Sequence, residues 1–114
     1  MLHPDDQNTF DKAKKLAYDL ARYLKVELKV FEAKRRPGDF YTALGICYHN
    51  EKRISIKFRN KQFKADGGKW LDKIPEKDVF ETVAHEVAHL IHPNHGAEFR
   101  LLEEELISKI GEYI

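Results

Sequence analysis

No disulfide can form within this chain, because its 114 residues include one cysteine, Cys47. That scarcity suits a reducing compartment, and a cytoplasmic setting is expected. A secretory leader and any apolar run long enough to span a membrane are also missing, so no membrane partner is expected. Neither sign of charge dominates. Twenty Lys and Arg face 19 Asp and Glu, a net charge of +1, which excludes bulk electrostatic attraction to nucleic acid. What remains is 42% hydrophobic and 34% charged, the composition of one soluble globular domain over residues 1–114. A chain this long buries about two-thirds of its unfolded surface. Cys47 falls in an alternating stretch and reads as a small buried hydrophobe.

Histidine is the residue that is concentrated. Four of the six histidines lie between positions 85 and 99, which read His-Glu-Val-Ala-His-Leu-Ile-His-Pro-Asn-His-Gly-Ala-Glu-Phe. On a helix, His85 and His89 project from one face, one turn apart. Two imidazoles so spaced can hold one Zn²⁺ at about 2.0–2.1 Å each. Glu86 lies roughly 100° round the helix, better placed to reach a water on the metal than to ligate. A catalytic zinc takes three protein ligands and keeps one position open. His95 is the obvious third. Pro93 should stop the helix near Ile91, and Asn94 and Gly96 are expected to supply a left-handed return. Glu98 and Glu103 to Glu105 are rivals for the third position, since zinc peptidases also draw a glutamate from the next helix. His92 reads as turned away by the proline that follows it. The acidic run 103–105 otherwise reads as a solvated surface.

Around this run the periodicities predict an α+β chain. Residues 5–24 form a backing helix with Phe10, Ala13, Ala17, Leu20 and Leu24 as its stripe, and Asp5 or Asp6 as its cap. Strands are expected at 26–32, 43–48 and 53–59. The second is nearly all apolar and reads as the central strand. A tight connection at 49–52 makes strands two and three an antiparallel hairpin, and a three-stranded antiparallel sheet is expected. Residues 60–74, with Asp66-Gly67-Gly68, read as a loop anchored by Trp70 and Leu71. Pro75 opens the histidine helix, whose inward face is Val83, Val87, Leu90 and Ile91. A last helix over about 97–110 carries Phe99, Leu102, Leu106 and Ile110, and Gly111 should end it.

The run His85, Glu86, His89, His95 and Phe99 resembles the minigluzincin group of short zinc peptidases. It is also similar to SprT-like and YgjP-like proteins, where H-E-x-x-H is followed by a histidine and then an aromatic residue. The element order is similar over nearly the whole chain. The resemblance implies a minimal zincin-like domain: backing helix, sheet, zinc-binding helix and C-terminal helix. It implies zinc on His85, His89 and His95, with Glu86 as general base for peptide-bond hydrolysis of a peptide or protein substrate. It also implies similarity to the catalytic domains of integral-membrane zinc peptidases. In minigluzincins the C-terminal segment can block the cleft. Here that segment runs from about Glu103 to Ile114, and swapping its helix would make a homodimer. Two departures narrow the group. His92 stands where metzincins have glycine, and Glu86 is absent from the rRNA-maturation endoribonucleases with the same histidine spacing.

Two other readings compete with the metallopeptidase. One is a zinc-binding regulatory module without turnover. The other is a SprT-like DNA-associated protease, for which Lys52, Arg53, Lys57, Arg59, Lys61, Lys64, Lys69 and Lys73 would supply a basic face. Solvated charge explains that stretch as well, and nucleic acid is not the expected partner. For the second group that would stabilise an oxyanion, the candidates are Tyr48, His49 and Tyr113.

Overall fold

The structure is a computed structural model that describes residues 4–33, 44–61 and 70–114, without the side chains of 60, 61 and 70–72. His3, the charged turn at 34–39, the Asp66-Gly67-Gly68 loop and the Trp70 and Leu71 side chains lie outside what is described.

Helix α1 spans Gln7–Tyr23 after a short helical turn at Pro4–Asp6. Its stripe Ala13, Leu16, Ala17, Leu20 and Ala21 is buried, as the spacing predicts. Asp6 precedes the helix but makes no side-chain cap bond; it is buried with its carboxylate 2.8 Å from the Arg59 guanidinium. The helix closes through Lys25, which takes the left-handed conformation usually filled by glycine. There the Val26 N–H donates to Ala21 O and the Lys25 N–H to Arg22 O, both at 3.0 Å.

Three strands follow: β1 (Val30–Ala33), β2 (Gly45–Tyr48) and β3 (Arg53–Ile56). The β2–β3 hairpin is antiparallel, as expected, and turns through Lys52 in the left-handed region. The sheet as a whole corrects the expectation twice. Its order is β1-β3-β2, and β1 runs parallel to β3, so the sheet is mixed. The central strand is therefore β3, with Ile54, Ser55 and Ile56 buried, and β2 is an edge. An apolar run does not by itself fix a strand's position in the sheet. Strand β2 is half-buried along its length: Cys47 packs against the core, and Gly45, Ile46 and Cys47 line a cleft. The ends of the expected 60–74 loop also form structure, as β4 (Arg59–Lys61) pairs antiparallel with β5 (Trp70–Lys73).

Helix α2 (Glu76–His89) touches α1, the sheet and helix α3 (Ala97–Tyr113). Val79, Val83, Ala84, Val87 and Ala88 are buried, and Leu90 continues that face, whereas Ile91 is exposed. Phe99 and Leu106 anchor α3. Helix α3 runs through Gly111 to Tyr113, so glycine does not end it. No helix among the described residues is long and apolar enough to cross a membrane.

Candidate metal centre

His85 and His89 stand one turn apart on α2, with ring centroids 4.8 Å apart. The helix stops after His89, and its last carbonyls are taken by tightened turns, with Ile91 N–H and His92 N–H both donating to Ala88 O. Pro93 then prevents continuation. The return that brings His95 back is made without a left-handed residue, contrary to the expectation for Asn94 and Gly96. Gly96 is extended, with φ −82° and ψ −174°, and a Cβ there would meet nothing within 4 Å.

The three Nε2 atoms converge. His95 Nε2 lies 3.0 Å from His89 Nε2 and 3.3 Å from His85 Nε2. Nitrogens at about 2.0–2.1 Å from one tetrahedral zinc would sit about 3.3 Å apart. The donor set fits a zinc-sized ion, and among the described residues it is the group of this kind. Phe99 is its floor, with ring centroids 5.0 Å from His85, 4.4 Å from His89 and 4.9 Å from His95.

The far edges of two rings are held. His89 Nδ1–H donates to the carbonyl of His92 at 2.9 Å, and His85 Nδ1–H donates to the Glu103 carboxylate at 2.5 Å. Each bond fixes a proton on Nδ1 and leaves the lone pair on Nε2 facing the cluster. Burial also lowers the pKa of His89, which favours the neutral ring that a metal requires. His92 thus contributes its carbonyl, not its ring; its own Nδ1 is 3.8 Å from exposed Glu98. Of the rival glutamates, Glu98 lies out at His92, Glu103 stands behind His85, and Glu105 accepts the hydroxyl of Tyr23. The role of Glu103 was missed from sequence. The one signal was its place a helical turn beyond Phe99 on the same face.

Glu86 is 5% exposed and lines a cleft of about 540 Å³ together with His85, His89 and His95, with Gly45, Ile46 and Cys47 of the β2 edge, and with Leu44 just before it. Gly45 permits this close approach of strand to helix: a Cβ there would lie 2.9 Å from Thr82 Cγ2 and 3.0 Å from Glu86 Cγ. Burial, followed by the Glu86 charge, pushes the Cys47 thiol up to about 11. Of the three oxyanion candidates, His49 alone lines the cleft. Its Nδ1–H donates to the His89 carbonyl at 3.0 Å. Tyr48 lies under the Arg53 guanidinium, and Tyr113 packs against the core at the end of α3.

The segment Glu103–Ile114, expected as a plug, is the second half of α3, docked through Leu106; none of it is among the residues lining the cleft. In the basic stretch, Arg53 pairs with Glu32 and Glu51, and Arg59 with Asp6. Neither guanidinium offers an unpaired charge.

The chain matches no protein-family model and none of the curated proteins compared with it. Its structure is similar to solved structures of Wss1. The Saccharomyces cerevisiae protein superposes with a TM-score of 0.73 at 16% identity, over 95% of this chain and 78% of that one. Wss1 from S. pombe gives a TM-score of 0.65 at 16% identity, over 98% of this chain and 87% of that one. At this identity the likeness shows the fold alone: this chain shares the fold of those Wss1 structures.

Proposed function

We propose that this chain is a zinc metallopeptidase of the SprT-like kind, cutting peptide bonds within a protein substrate. The observation that carries the reading is the convergence of three Nε2 atoms beside a buried glutamate at the wall of an open cleft. His85, His89 and His95 would hold the ion, which when bound supplies Lewis acidity toward a water and a scissile carbonyl. Glu86 accepts the proton of the attacking water and passes it to the leaving amine. Its burial against Gly45 limits its freedom and keeps the carboxylate at the cleft. The β2 edge pairs only with β3 among the described residues, so substrate can add to it as an extended strand. His49, beside that edge, is our candidate for contact with the oxyanion. The fold shared with the Wss1 structures supports the SprT-like side of the resemblance over the minigluzincin side. We also propose that the isolated chain is open, because the helix that would plug the cleft is engaged in the core. A reducing cytoplasm remains the setting that a single cysteine suits best.

The test combines two variants assayed on an unfolded protein substrate. Glu86→Gln should keep one zinc per chain and lose cleavage by a factor of at least about 10². His95→Ala should lose zinc together with cleavage. Cleavage surviving in Glu86→Gln removes the general base, and zinc retained in His95→Ala removes the third ligand.

A further inference from the structure

Resting on that metal reading, we propose that Glu103 is a positioning residue of the centre, through which α3 sets the affinity of the site for zinc. The two ligand histidines of α2 are held differently. His89 receives its Nδ1 acceptor from the backbone just beyond its own helix, the carbonyl of His92. His85 receives its acceptor from a side chain 18 residues away on another helix. A ring nitrogen that faces the cluster leaves the other on the opposite edge of the imidazole, so the Glu103 carboxylate stands behind His85 and cannot also ligate the ion. It fixes both the tautomer and the rotation of the ring.

The placement follows from how α3 docks. Phe99 is buried under all three rings, Glu103 lies one turn further along the same face, and Leu106 fixes the next turn in the core. Its neighbours on the helix have other positions: Glu104 is exposed, and Glu105 reaches Tyr23 on α1. Among these three acidic residues the structure therefore separates one that serves the centre from two that do not. A plain surface ion pair is the competing account of the same contact. It would add a little stability and leave zinc binding alone.

The test measures zinc affinity by chelator competition in wild type, Glu103→Ala, Glu103→Gln and the exposed control Glu104→Ala, with thermal melting of each metal-free protein. Glu103→Ala should bind zinc about 10- to 100-fold more weakly. Glu103→Gln keeps an oxygen that accepts the Nδ1–H bond and should recover most of the loss, and Glu104→Ala should match wild type. Nitrogen-15 spectra of metal-free protein should show His85 protonated at Nδ1 in wild type and as a tautomer mixture in Glu103→Ala. Wild type that takes up no zinc defeats the metal reading itself. Wild type that binds zinc no more than twofold better than Glu103→Ala, or a zinc loss matched by Glu104→Ala, overturns the positioning role alone.

Discussion

At the scale of the residue, burial and one neighbouring carboxylate act together on a single thiol. Glu86 and Cys47 face the same cleft from helix and strand, and the thiol there is raised from 9.0 to about 11, by burial first and by Glu86 second. The thiolate is the reactive form, so an acid two units weaker holds about a hundredth of the thiolate at any pH well below both values. Alkylation of Cys47 by iodoacetamide at pH 8 should be about a hundredfold slower than for a free cysteine. It should rise about tenfold per pH unit up to about pH 10. Glu86→Gln should speed the reaction without bringing it to the free rate, because burial is the larger cause. A wild-type rate equal to that of free cysteine would show the thiol neither buried nor within the field of Glu86. The same scale shows what single residues reveal in a sequence. His85, His89 and His95 were legible because helical spacing and a proline fix their geometry within eleven residues. Glu103 was not, because its contact depends on the angle at which a second helix docks.

At the scale of the element, β2 matters through what it lacks. Gly45 stands in the register row of Ile56, on the face turned toward α2. A methyl group at that position would approach Thr82 Cγ2 to 2.9 Å and both Glu86 Cγ and Ile56 Cδ1 to 3.0 Å. Ile56 is fully buried and Glu86 nearly so, so neither can swing aside freely. Gly45→Ala should therefore cost about 1–3 kcal/mol in urea unfolding, the usual range for overpacking. Cleavage should fall while zinc content holds, because the clash displaces the base and leaves the ligand rings alone. A variant with unchanged stability and unchanged turnover would mean that the strand can retreat from the helix. The elements were legible in kind more than in arrangement. The hairpin, the helices and the histidine helix's buried face follow from short-range pattern. The parallel pairing of β1 with β3 does not, because no local signal says which edge a returning strand will take. The edge position of β2 was hidden for the same reason.

At the scale of the whole molecule, α2 is the axis on which core and centre meet, and α3 completes both. Leu106 is fully buried, and Phe99 is 2% exposed beneath the three rings. Removing one such leucine costs about 2–5 kcal/mol, against a total of about 5–15 kcal/mol for an ordinary domain. Leu106→Ala should lower the unfolding free energy by that amount while keeping the zinc site, since the residue touches the core and not the cluster. Truncation after Leu102 is the harsher experiment, because it removes Leu106, Glu103 and the C-terminal half of α3 together. A chain kept latent by its own C-terminus would gain cleavage on losing it. This chain should instead lose thermal stability and zinc affinity, and its cleavage should fall. The two outcomes have opposite signs in one assay. Cleavage that rises on truncation would place the segment over the cleft in solution, and would require α3 to leave both the core and His85 to get there.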